Sequence, residues 1–118
     1  MMPTTSPANR WLDAFTEVTP DEIVAHTKDL VKKHGFKTHK LKGGHFPPEH
    51  DVEVMQALGA AFPNDGLRLD PNSVWGVEEA IQVAKAIGNL KNEYFEDPTW
   101  GLEGMRRFVA WYRQYYGV

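Results

Sequence analysis

Four segments of this chain repeat apolar side chains at helical spacing, and three short runs between them alternate as strands do. The first helix signal opens at Thr19-Pro20-Asp21-Glu22, where Thr19 can cap, Pro20 suits the first helical position and Glu22 completes a capping box. Ile23, Val24, Thr27, Leu30 and Val31 form its apolar stripe, and Gly35 is the expected left-handed stop. A second helix starts near Glu49, turns Met55, Leu58 and Phe62 inward and ends before Pro63. A third runs from about Gly76 to Ile87 on Ala80, Ile81, Ala84 and Ile87, with Gly88 as its stop. The fourth covers about Leu102 to Tyr116, with Met105, Phe108, Val109 and Tyr112 on one side. Trp111, Tyr115 and Tyr116 leave that helix aromatic on more than one side, as a surface meant to be covered would be.

The strand candidates are Phe36–Lys42, Leu67–Asp70 after the turn residues Asn64-Asp65-Gly66, and Asn92–Glu96, which Asp97-Pro98 breaks. The order α-β-α-β-α-β-α predicts an α/β fold of three parallel strands and four helices, joined by right-handed crossovers. Residues 1–18, rich in Pro, Ser and Thr and without a clear period, read as an N-terminal arm on which Trp11, Leu12 and Phe15 could dock. Residues 19–118 then make one domain.

Alternation puts Thr38, Lys40 and Lys42 on one strand face and Lys37, His39 and Leu41 on the other. Leu67 and Leu69 likewise oppose Arg68 and Asp70. Two ammonium groups sharing a face require that face to be wet or to hold an anion. Each strand closes on a polar side chain just ahead of a Gly or Pro: Lys42, then Asp70 after 28 residues, then Glu96 after 26. These steps are one βα unit long, so the three residues fall at equivalent C-terminal strand ends, where open α/β sheets and barrels place their active sites.

Composition narrows the chemistry. A chain of 118 residues with 42% apolar and 25% charged content is an ordinary globular domain. Its net charge of −3 leaves no basic footprint for nucleic acid. With no cysteine, disulfides and thiolate metal sites are excluded, which suits a reducing cytoplasm. No apolar run has the length of a membrane span, and the N-terminus lacks the apolar core of a leader, so a cytoplasmic protein without a membrane partner is expected. Gly43-Gly44 is too short for a phosphate loop, which removes a nucleotide reading.

Asp70 and Glu96 are hard oxygen donors on adjacent strands, a pair that suits Mg²⁺ completed by water and substrate oxygens. The same two carboxylates with Lys40 and Lys42 would equally make a structural salt-bridge cluster. Arg68 and Asn72 flank Asp70 and could bind an anionic substrate or satisfy Asp70 itself. His26, His34, His39, His45 and His50 lack metal spacing and read as surface or packing residues. His45 is the possible exception, because it follows the glycine pair on the functional side.

The runs Gly35-Phe36-Lys37-Thr38-His39-Lys40-Leu41-Lys42-Gly43-Gly44, Leu67-Arg68-Leu69-Asp70-Pro71-Asn72 and Tyr94-Phe95-Glu96-Asp97-Pro98, in that order and spacing, resemble glucarate dehydratase and its relatives in the enolase superfamily. The resemblance covers about residues 19–116. It implies part of a (β/α) TIM-type barrel with an essential Mg²⁺. Under it Lys42 is the base that removes the proton α to a substrate carboxylate. Lys40 steadies that carboxylate and keeps the base's pKa low by like-charge proximity, Asp70 and Glu96 are the first two metal ligands, and Asn72 lies near metal and substrate. The implied reaction eliminates water from a sugar diacid such as glucarate, giving a keto-deoxy acid. The family's third metal ligand, later His-Asp pair and N-terminal capping domain have no counterpart among these residues, and Ser73 stands where a Gly is common in these enzymes. Three parallel strands leave unpaired edges, so a homo-oligomer, or a non-catalytic self-associating βα module, is the other expectation.

Overall fold

The computed structural model describes residues 19–117. The expected arm, 1–18, with Trp11, Leu12 and Phe15, lies outside the described residues. In order the elements are α1 (Pro20–His34), β1 (Thr38–Lys42), α2 (Pro48–Ala61), β2 (Gly66–Asp70), α3 (Val77–Ala86), β3 (Asn92–Phe95) and α4 (Leu102–Tyr116). The start of α1 follows its local chemistry. Thr19 Oγ1 accepts the Glu22 N–H at 3.2 Å while Glu22 Oε1 accepts the Thr19 N–H at 3.0 Å. Gly35 closes it with φ 71° and an N–H donated to Val31 O at 2.7 Å.

The strands are parallel in the order β1-β2-β3. β1 meets β2 in unbroken register, Lys40 opposite Arg68 and Lys42 opposite Asp70. Between β2 and β3 the register slips: Leu67 is opposite Asn92, but Arg68 is opposite Tyr94, so Glu93 is an extra residue. Pairing continues past β3, with the Glu96 N–H donated to Leu69 O at 2.8 Å. Without that bulge Phe95, not Glu96, would come level with Asp70. One inserted residue therefore decides which side chain reaches the strand-end row.

The core lies on one face of the sheet only. Leu67 and Leu69 pack there with Val54, Met55 and Leu58 of α2, Ala80, Val83 and Ala84 of α3, Ile87, Trp75 and Phe108. Burying each large side chain contributes about 1.5–3 kcal/mol. Trp75 was not marked by the periodic pattern because it precedes its helix, yet it is 3% exposed and meets Phe95 edge-on. The expected inner face of α4 needs correction. Phe108 is its buried residue and Trp111 packs on the core, whereas Val109 and Tyr112 are exposed. A shift of about one residue around the helix turns Trp111 inward and leaves Tyr112, Tyr115 and Tyr116 outside.

Candidate active site

The opposite face of the sheet carries the polar set. Lys42 Nζ donates to Asp70 Oδ2 at 2.7 Å and to Asn72 Oδ1 at 3.2 Å. Lys40 Nζ donates to Glu96 Oε1 at 2.8 Å and stands 3.9 Å from Asp70 Oδ2. Lys40 thus spans the two carboxylates, and Asp70 is held between both lysines. The residues singled out at the ends of the three strands, Lys40, Lys42, Asp70, Asn72 and Glu96, are brought together.

Asp70 is only 3% exposed although it faces no hydrocarbon core. Burial pushes its carboxyl up. The Lys42 hydrogen bond, the Asn72 N–H donated to Oδ1 at 2.8 Å, and the charges of Lys42 and Lys40 outweigh burial and leave it below the usual value. On Lys40 the Glu96 hydrogen bond is the largest influence, and it raises that ammonium's pKa against a smaller loss from burial.

The loop after β2 is shaped to present Asp70. Asn72 and Ser73 both hold left-handed backbone, φ 58° and 63°, and Asp97 does so at φ 41°. The Ser73 N–H donates to Asp97 O at 2.7 Å, tying this loop to the one that follows Glu96. Asn is at home in that region, and serine is not.

Arg68 pairs with Glu93, not with Asp70. Its Nε donates to Glu93 Oε1 at 2.7 Å, on the bulge residue, and its guanidinium lies 5.0 Å from the Tyr94 ring centroid. Lys40 approaches the same ring at 5.8 Å. Tyr94, which the strand pattern did not single out, is the aromatic member of this layer. His39 is a packing histidine, its ring tilted against Phe62 at 4.6 Å and joined through Nε2 to Asp65 Oδ2 at 2.8 Å. His45 lines a cavity of about 330 Å³ with Lys40, Lys42, Ile23, Phe46 and Asp51. When protonated it would pull the Asp51 carboxyl down. A larger cavity, about 620 Å³, opens between the starts of α3 and α4 and includes none of the strand-end residues.

Asp51 was missed. It is 3% exposed, and its Oδ2 accepts the Gly44 N–H at 2.8 Å. Burial pushes this carboxyl up, against the pull of that N–H and of His50 and His45. Helical spacing held the signal, since Asp51 shares a face with Met55 and Leu58 and therefore turns inward with them.

Asp70 and Glu96 match a hard divalent cation in donor type and in their shared strand-end position. Among the described residues no group of three or more His, Cys, Asp or Glu converges to hold a metal, so the pair would need oxygens from elsewhere to complete a ligand set.

Residues 22–115 match the family model of the enolase C-terminal domain-like proteins. The chain belongs to this family. It is 43% identical over 93 residues to a probable glucarate dehydratase of Streptomyces coelicolor, covering 79% of this chain and 21% of that protein. It is 37% identical over 93 residues to an L-Ala-D/L-Glu epimerase of Clostridium acetobutylicum, covering 75% of this chain and 25% of the relative. The fold superposes with TM-score 0.74 on an enolase from Pseudomonas fluorescens whose structure holds bound magnesium, potassium and tartrate. That match is at 43% identity and covers 78% of this chain and 21% of the other. The chain spans about a fifth to a quarter of the length of these relatives. Its three parallel strands and four helices are part of an enolase-superfamily (β/α) barrel. No helix among the described residues is long and apolar enough to cross a membrane.

Proposed function

We propose that this chain carries the base-and-metal portion of a glucarate-type dehydratase, acting on a sugar diacid. The observation that supports it most is the convergence of Lys42 with Asp70, and of Lys40 with both Asp70 and Glu96, at the ends of three adjacent parallel strands. A proton next to a carboxylate is very weakly acidic, so its removal needs a positioned base and a cationic surround for the charge that develops. In this reading Lys42 takes that proton once its ammonium has given one up. Lys40 pairs with the substrate carboxylate, and Asn72 lies near the metal and substrate. Asp70 and Glu96 would hold Mg²⁺, which supplies the remaining positive charge at the carboxylate oxygens when bound. An epimerase also sits among the relatives. Proton abstraction α to a carboxylate is the step that both chemistries need, and elimination of water is the finer part of the proposal.

The test separates these steps. The 118-residue chain is incubated with glucarate and Mg²⁺ in D₂O, and deuterium at the α-carbon and keto-deoxy acid are both followed. Deuterium that appears with wild type and not with Lys42→Met supports the base assignment, and keto-deoxy acid supports the dehydratase. Deuterium without elimination assigns the chain the abstraction step alone, and the absence of both signals overturns the reading.

A second reading, self-association, is supported by the exposed aromatic side of α4, where Tyr115 stacks on Trp111 at 5.0 Å and Lys85 lies 5.4 Å from the Tyr115 ring. Light scattering after gel filtration tests it. A discrete oligomer that Tyr115→Lys dissociates supports this reading, and a monomer removes it.

A further inference from the structure

The glycine pair after Lys42 is held from two sides. The Gly43 N–H donates to Asp70 O at 2.8 Å, which fastens the end of β1 to β2. The Gly44 N–H donates to Asp51 Oδ2 at 2.8 Å, which fastens the same turn to the first turn of α2. The fit is close on both residues. A Cβ on Gly43 would stand 2.5 Å from Asp51 Oδ2, and one on Gly44, whose φ is 85°, would collide with the Pro71 carbonyl. Leu69 Cδ1, 3.2 Å from that same Cβ position on Gly43, closes the remaining side.

A carboxylate in this place is costly. Asp51 is buried on a face it shares with Val54, Met55 and Leu58, where an apolar side chain would add to the core. What the carboxylate adds over such a residue is a directed acceptor for Gly44, two residues past Lys42, with His50 Nδ1 3.9 Å from its other oxygen. We infer that Asp51 is a positioning residue, whose hydrogen bond to the Gly44 N–H fixes the turn that aims the Lys42 ammonium at Asp70 and Asn72. Asp51 touches none of these groups and acts through the turn alone. The inference deepens the proposed function, because Lys42 is the base of that reading.

The test needs no activity. The ε-amino groups of the whole chain are acylated under limiting reagent, and Lys42 and Lys40 are quantified by mass spectrometry in wild type, Asp51→Asn and Asp51→Leu. Asn keeps an oxygen acceptor, and Leu keeps volume without one. Losing the aim of Lys42 frees its amine by about three- to tenfold, the equilibrium equivalent of one hydrogen bond. The expected result is that rise for Lys42 in Asp51→Leu, with Lys40 unchanged and Asp51→Asn near wild type. Equal labelling of Lys42 in wild type and Asp51→Leu overturns the inference, as does a parallel rise of both lysines, which marks general loosening. If Asp51→Leu does not fold, the wild-type chain decides through the scalar coupling across the hydrogen bond between Gly44 ¹⁵N and Asp51 ¹³Cγ. Its presence, with Asp51→Asn near wild type in labelling, supports the inference, and its absence overturns it. A chain that shows the Lys42 effect but no deuterium exchange retains the positioning role and loses only the functional reading.

Discussion

Leu69 and Asp70 are consecutive in β2 and almost equally inaccessible, at 0% and 3% exposure, yet they are buried by opposite means. Leu69 is enclosed by the side chains of the helices. Asp70 is enclosed by two ammonium groups and an amide N–H on the other side of the sheet. The first kind of burial is non-directional and has no charge to titrate or screen. The second depends on charge state, and it leaves the carboxylate one exchange of partners away from a different cation. Stability and chemistry are thus divided between the two faces of a single strand.

The largest effect comes from breaking the apolar face. Leu69→Ala should cost about 2–5 kcal/mol, because the surrounding core closes only partly over the cavity. Denaturant unfolding checks it, and the loss should be the same at low and high salt.

Asp70→Asn should cost less, about 1.5–3 kcal/mol, the worth of hydrogen bonds to a charged group. It should also abolish any thermal stabilisation by Mg²⁺ that wild type shows. The pH dependence carries a sign. Asp70 has a folded pKa below its ordinary 3.8, so its contribution is present above that value and is lost as pH falls through the lower, folded one. The gap between wild type and Asp70→Asn should therefore close in acid. Asp51 is the converse. Burial raises its folded pKa above 3.8, so its ionisation costs stability as pH rises through that raised value. Asp51→Asn should gain on wild type from acid towards neutrality, opposite in sign to Asp70→Asn. Melting curves of the three proteins across pH test both signs together, and parallel curves would contradict the contrast.

The same division explains what the sequence disclosed. Periodicity located the four helices and three strands of the described residues, since most of them turn one stripe or one face towards the core, and local chemistry marked ends such as Thr19 and Gly35. It misplaced the inner face of α4 because aromatic residues surround that helix, and only packing chooses between Trp111 and Tyr112. Lys40, Lys42 and Asp70 were legible because parallel βα units bring strand ends level, whereas the level of Glu96 also depends on a bulge. The bulge at Glu93 was not legible, as it is a property of pairing between strands and leaves no local signature.

The smallest effect should be a gain. Ser73 holds φ 63° in the loop that follows Asp70, a region that costs a residue with a Cβ about 1–2 kcal/mol. Glycine escapes that strain but loses more freedom on folding, about 0.5–1 kcal/mol. Ser73→Gly should therefore stabilise the chain by about 0.5–1 kcal/mol, read as a higher denaturant midpoint. The Ser73 N–H bond to Asp97 O involves only backbone and survives the substitution, so the two loops behind Asp70 and Glu96 should stay joined. The polar face would then gain stability while the response to Mg²⁺ and the acid behaviour of Asp70 stay as in wild type. A gain accompanied by a changed Mg²⁺ response would mean that the strained serine itself helps to set the spacing of the two carboxylates, and that the loop, more than the strand register, aligns them.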